Sequence, residues 1–283
     1  MEENNKEINN KPNTFKKVIS IIVILIILFL AYVRFVGTSG LIVKEYPVKS
    51  DNIPESFNGL KIIQLSDIHY NSISKEILEN VVNEINKNKP DIVVFTGDLY
   101  DSSSILSEDA ISDIENTLSG IKTTIGKYAV SGNHDYSLNN YEEIITKSGF
   151  TYLENDSKII YYKGNTPIEI IGYPSLLNGT PNYDYALSDY YKIVLMHEPD
   201  AIKNLEDKNI DLVLAGHSHG GQVRLPFIGP IIKPAGAKTY YNEYYQVNNT
   251  KLYINYGIGT VDAPFRFFDR PSINLYRLYK KTN

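Results

Sequence analysis

Five short apolar runs in this chain end in the same kinds of residue, and no other feature constrains the fold as tightly. "QLSDIH" closes on Asp67 and His69, and "FTGDL" carries Asp98. "VSGNHD" closes on Asn133, His134 and Asp135, "VLMHEP" carries His197, and "LAGHSHG" carries His217 and His219. Every histidine of the chain is in this set. The runs read as short buried strands, and helical spacing appears between them. Residues 75–88 put Ile77, Leu78, Val81, Val82 and Ile85 on one side. Residues 107–118 are amphipathic, with Ser107 as N-cap, and residues 140–149 stop at Gly149. Strand and helix alternate, which predicts an α/β domain with a buried sheet. Ligands of such sheets bind at the carboxyl ends of the strands. Segments far apart in sequence are therefore expected to deliver these polar residues to one rim.

Taken singly, each motif is a turn signal, since Asp caps and Gly bends. Taken together, they have to explain why no histidine lies elsewhere, and a shared site does so. The chain has no cysteine, so disulfides, thiolate ligands and cysteine nucleophiles are excluded. A net charge of -5 excludes the basic footprint of a nucleic-acid binder. The remaining donors are imidazole, carboxylate and an Asn amide, a set suited to Mn²⁺, Fe²⁺ or Zn²⁺. Asp67, His69, Asp98, Asn133, His197, His217 and His219 are too many for one ion that keeps an open position. They suit two ions roughly 3.5–4 Å apart that share a carboxylate, an arrangement that activates water for attack on a phosphoryl group.

In order, "SDIH", "GDL", "GNHD", "MHEP" and "GHSHGGQ" resemble the motif blocks of the calcineurin-like binuclear metallophosphoesterases, over about residues 57–278. "FNGLKIIQLSDIH", "GHSHGGQVRLPFIG" and "YGIGTVDAPFRFFDRPSINL" are similar, more narrowly, to the membrane-anchored bacterial YkuE/YaeI-type group. That group is itself similar to UDP-2,3-diacylglucosamine pyrophosphatases. The resemblance implies a four-layer αββα sandwich of two mixed sheets flanked by helices. It implies one metal on Asp67, His69, Asp98 and His219, and another on Asp98, Asn133, His197 and His217, with Asp98 shared. His134 then matches a non-ligand histidine beside the phosphate, Asp135 the acid that orients it, and Asn133 and His134 the phosphate contacts. Arg266 is a further candidate for the phosphate, with a surface ion pair as the alternative. His217 and His219 are two apart, so in an extended segment they share a side and each can serve a different ion.

The expected reaction is metal-dependent hydrolysis of a phosphodiester, phosphomonoester or pyrophosphate. The alternative is a membrane-anchored, metal-binding scaffold without turnover. "SGNHD" lacks the flanking Arg and Glu of the protein Ser/Thr phosphatases. Tyr100 lies two residues after Asp98, not three, so no Fe³⁺–tyrosinate site is expected. Ser272 stands where the YkuE-like pattern has Glu.

Residues 18–36, "VISIIVILIILFLAYVRFV", are apolar on every face and about 19 long, close to the roughly 20 that cross a bilayer. No small-x-small cleavage site follows, so an uncleaved anchor is preferred to a signal peptide. Lys11, Lys16 and Lys17 precede the span, which places residues 1–17 in the cytoplasm as a polar tail and the catalytic part outside. Residues 37–56 read as an extended lead-in and residues 57–283 as one phosphoesterase domain. The expected partners are a phosphoester, lipid-linked in one version, and the membrane itself. The 23 tyrosines read as strand formers.

Overall fold

The computed structural model describes residues 14–101, 106–184 and 187–281. An apolar helix, α1 (Thr14–Ala31), continues through one wide turn, Tyr32–Val36. The strand β1 (Ile42–Ser50) follows, then β2 (Lys61–Leu65), α2 (Lys75–Asn88), β3 (Ile92–Phe95), α3 (Glu108–Ser119), β4 (Gly126–Ala129), α4 (Tyr141–Lys147) and β5 (Thr151–Tyr152). The second half contains β6 (Asp156–Ile160), β7 (Ile168–Gly172), β8 (Tyr191–Leu195), β9 (Leu212–Ala215) and the small pair β10 (Arg224–Leu225) and β11 (Gly229–Pro230). It closes with β12 (Tyr244–Val247), β13 (Thr250–Ile254) and β14 (Ser272–Lys280).

Two mixed six-stranded sheets result, in the orders β1-β14-β2-β3-β4-β5 and β12-β13-β9-β8-β7-β6. In the first, β2, β3 and β4 are parallel neighbours; in the second, β7, β8 and β9 are. This is the expected pair of stacked sheets. A buried layer of Ile62, Val94, Val130, Ile170, Ile193 and Leu214 packs between them. The outer face of the first sheet is covered by α2, α3 and α4 through Leu78, Val81, Ile114, Leu118, Ile144 and Ile145. Each of the two longer helices starts where a serine can cap it: Ser74 Oγ accepts from Ile77 N, and Ser107 Oγ from Ala110 N. The fourth layer is thinner than the resemblance implies. The second sheet is covered by the 3₁₀ turn Pro199–Leu205 and loops, which bury Ala201, Ile202 and Leu205.

Two boundaries differ from the sequence reading. β1 lies inside the stretch read as lead-in, yet it pairs in parallel with β14 from Ile42↔Ser272 to Ser50↔Lys280. The sheet therefore begins well before Phe57. Pro47 is tolerated there because β1 is an edge strand. The apolar helix also starts earlier, at Thr14, and takes in Lys16 and Lys17. The polar tail expected over residues 1–17 lies, up to residue 13, outside the described residues. Thr14–Val36 is long and apolar enough to cross a membrane, and almost none of it is buried. Several tyrosines act as core: the rings of Tyr46, Tyr253 and Tyr276 pack on one another between the sheets.

Candidate metal centre

Because β2, β3, β4, β8 and β9 all run the same way within their sheets, the segments that leave them gather at one rim. The backbone there is unusual. Asp67 (φ 49°), His69 (φ 41°), Asp98 (φ 57°), His217 (φ 65°) and His219 (φ 47°) are all left-handed. Non-glycine residues reach this region at a cost, and such outliers cluster at functional sites. Gly216 is required by close approach: a Cβ there would overlap Ser66 Oγ and crowd the Asp67 carboxylate.

Two buried clusters of ligand-type side chains form at this rim. Asp67, His69 and His219 make one; Asp98, His197 and His217 make the other. His219 Nε2 lies 3.3 Å from Asp67 Oδ1 and 3.1 Å from His69 Nε2. His197 Nε2 lies 3.0 Å from Asp98 Oδ2 and 3.3 Å from His217 Nδ1. Asp98 Oδ2 is also 3.6 Å from His69 Nε2, so this carboxylate touches both clusters. Asn133 follows β4; its Oδ1 is buried with no hydrogen-bond partner among the described residues. The amide of His134 donates to Asp98 Oδ1 at 2.9 Å.

The proton inventory shows what the clusters fit. His197 Nδ1 lies 2.6 Å from Thr96 O, and His217 Nε2 lies 2.6 Å from Ala235 O. Carbonyls only accept, so these nitrogens carry the protons. In the neutral rings the lone pairs, on His197 Nε2 and His217 Nδ1, would then face each other beside Asp98. Burial drives the imidazole of His69 down to about 4 and holds those of His217 and His219 below their ordinary value, so all three favour the neutral form that binds metal. Burial pushes Asp67 up to about 7. Burial also opposes the charge on Asp98 and on His197, but their mutual attraction outweighs it. Asp98 is held below the carboxylate range and His197 well above the imidazole range, so without a cation His197 Nε2 carries a proton towards Asp98 that a bound metal would displace. Lone pairs and carboxylate oxygens that converge in a buried site with few protons to share fit divalent cations. The orphaned Asn133 Oδ1 fits the same purpose.

The other candidates fall differently. His134 lines a cleft of about 340 Å³ that opens over Asp98, His217 and His219. Its ring packs edge-on against His69, with centroids 5.2 Å apart. Asp135 does not orient it. Asp135 is buried, and its Oδ2 accepts the amides of Asp98 and Gly132 while its Oδ1 accepts that of Leu99. It is a brace between the β3 and β4 loops, and burial together with the Asp98 charge pushes its carboxyl up to about 8. The acid facing His134 is Asp101, with Oδ1 3.7 Å from Nδ1. Arg266 is corrected on both readings, since it is neither on the surface nor at the cleft. It is fully buried and donates to Tyr256 O and Gly259 O at 2.9 and 2.6 Å. Its Nη1 pairs with Asp269 at 3.4 Å, and its Nη2 lies 3.4 Å from the outer nitrogen of His219. Two further residues escaped the sequence reading. Gln64 Nε2 donates to Thr96 Oγ1 and to Ala215 O, tying the sheets together beneath the site. Glu198 takes hydrogen bonds from Ser175 Oγ and Leu176 N. The available signal was a lone polar residue in or just after an apolar run.

The sequence model for the calcineurin-like phosphoesterases matches residues 60–221. The chain belongs to that family. It is 36% identical over 260 residues to the uncharacterized metallophosphoesterase YkuE of Bacillus subtilis strain 168, covering 89% of this chain and 90% of that one. It is 29% identical over 227 residues to phosphodiesterase YaeI of Escherichia coli K12, covering 77% and 82%. It is 25% identical over 293 residues to the UDP-2,3-diacylglucosamine pyrophosphatase LpxG of Chlamydia muridarum, covering 80% and 86%. As a calcineurin-like phosphoesterase the chain is a hydrolase of phosphoric esters, and the two acid–histidine clusters are its candidate metal-binding groups.

Proposed function

We propose that this phosphoesterase cleaves a phosphodiester or pyrophosphate bond at the surface of a membrane spanned by Thr14–Val36, with the catalytic domain on the outer side. The observation that carries the reading is the meeting of two buried acid–histidine clusters across Asp98, under a cleft lined by His134. The names of the relatives YaeI and LpxG support the two bond types.

Asp67, His69 and His219 would hold one cation and Asn133, His197 and His217 the other, with Asp98 shared. The donor set suits Mn²⁺, Zn²⁺ or Fe²⁺. Bound there, two cations supply Lewis acidity, lowering the pKa of water from about 15.7 towards 7 and offsetting charge on phosphoryl oxygens. The remaining work belongs to the chain. His134 donates a hydrogen bond to the phosphoryl group or to the leaving oxygen, with Asp101 steadying its ring. Thr96 O and Ala235 O fix the tautomers of His197 and His217, so each turns an unprotonated nitrogen inward. Asp135 fixes the loops that carry Asp98 and His134.

The test is the full chain, stripped and reloaded with each metal, on an aryl phosphodiester, an aryl phosphomonoester and a nucleoside-diphosphate lipid. Turnover of the diester or the pyrophosphate is expected. Two bound metals with no turnover of any substrate would leave a metal-binding scaffold instead.

A further inference from the structure

The mouth of the cleft is surrounded by apolar side chains that the fold leaves uncovered. β10 and β11 pair as a small hairpin, Arg224 with Pro230 and Leu225 with Gly229. Phe227, near its tip, is fully exposed, and Ile228 is exposed beside it. Ile231 and Ile232 follow; both are exposed, and both line the cleft over the metal centre. Phe268, 70% exposed, borders the same surface depression as Arg224, Phe227 and Gly229. Phe227 and Phe268 also share a left-handed backbone, with φ of 67° and 52°. A bulky residue is a poor choice for that conformation, and a turn in water is better served by Gly or Asn. Two strained, exposed phenylalanines and three exposed isoleucines in one region mark an interaction surface.

The surface is continuous with the apolar helix. Phe267, bridged to Val223 at the base of the hairpin, packs edge-on against Phe29 and Tyr32, with centroids 5.0 and 6.1 Å apart. The Arg266 amide donates to Val33 O at 3.0 Å. A Cβ on Gly37 would overlap Arg266 O, so helix end and loop are in close contact. Phe29 lies about 10 Å along the helix axis from Val36, at 1.5 Å per residue. A ring packed on Phe29 therefore reaches the depth at which interfacial elements sit, roughly 5–10 Å below the head groups. Arg34, Lys233 and Arg270 are close to these apolar positions in sequence, a pattern that suits anionic lipid head groups.

We infer that the tip of the β10–β11 hairpin and Phe268 form a second membrane contact beside the N-terminal helix, so that the catalytic cleft opens at the lipid–water boundary. The inference rests on the proposed reading that Thr14–Val36 spans the membrane. It implies a substrate drawn from the bilayer: a phosphoester whose apolar part lies along Val223, Ile231, Ile232 and Phe265 while its phosphate reaches the metal centre.

The chain has no tryptophan, so single-tryptophan variants report local environment cleanly. The full chain is reconstituted in phospholipid nanodiscs with plain or brominated acyl chains, as the Phe227→Trp, Ile24→Trp and Tyr161→Trp variants. Tyr161 is exposed and follows β6, which runs antiparallel to β7 and so ends at the sheet edge away from the metal centre. Blue-shifted emission and quenching by bromine are expected for Phe227→Trp and Ile24→Trp, and neither for Tyr161→Trp. A water-like, unquenched Phe227→Trp alongside a quenched Ile24→Trp overturns the second contact and leaves the anchor standing. An unquenched Ile24→Trp overturns the anchor and this inference with it. Equal quenching of Tyr161→Trp and Phe227→Trp overturns the inference as well.

Discussion

His134 stands over the metal centre without belonging to either ligand cluster, with its ring against His69 and its Nδ1 towards Asp101. Its removal is expected to leave metal content unchanged and to lower kcat about 10²–10⁴-fold, the range for a lost proton donor. Elemental analysis beside steady-state kinetics on His134→Ala checks both halves, and loss of metal would make it a ligand. Arg266 makes the opposite prediction. Its guanidinium is buried against Asp269, whose two carboxylate oxygens have no other hydrogen-bond partner among the described residues. Arg266→Met is expected to cost about 3–5 kcal/mol of stability, the penalty for stranding one charge of a buried pair. A variant with unchanged melting temperature and a raised KM would restore the phosphate-contact reading. At this scale the ligand types were legible, because histidine was used nowhere else and cysteine not at all. Backbone strain at Asp67, His69 and Asp98, the brace made by Asp135 and the burial of Arg266 were not. Each depends on residues brought together by folding, which periodicity does not reveal.

At the level of elements, α2 was readable by its amphipathic spacing and α3 to its cap Ser107, since both are local signals; the Ser74 cap of α2 emerged only in the structure. β1 was hidden because its pairing with β14 joins opposite ends of the chain, and residues 37–56 carry no strong alternation. The thin outer layer was hidden because a 3₁₀ turn such as Pro199–Leu205 lacks a helical stripe. One contact between elements has a pH signature. Lys127, on β4, donates to Leu118 O at the end of α3 and to Ser148 O just after α4. Burial pushes its ammonium down to about 8 from 10.5. Between those values the unfolded chain binds more protons than the folded one, so this residue's contribution to stability rises with pH across the window. Below pH 8 its desolvation cost is present in full. The effect is modest, since the side chain is only half-buried and solvent screens it. Melting temperatures of wild type and Lys127→Met, measured from pH 7.5 to 10.5 (about the span of the two values), are expected to diverge in favour of wild type as pH rises. Parallel curves would contradict this account of the contact.

Across the whole molecule, the site joins two sheets that an apolar layer and Gln64 also hold together. Cations held at Asp67, His69 and His219, which come from both sheets, and at Asp98, His197 and His217 likewise, would favour the folded state. Chelation is therefore expected to lower the melting temperature, and reloading to restore it; ligand at a hundred times its Kd contributes about 2.7 kcal/mol. An unchanged melting temperature after complete removal would mean that cations do not bind the folded chain in preference to the unfolded one. In the proposed centre Asp98 is shared by two cations. The decisive measurement is metal content per chain on reconstituted wild type and Asp98→Ala. Two ions are expected in the wild type and none in the variant; full occupancy in Asp98→Ala would rule out the shared carboxylate.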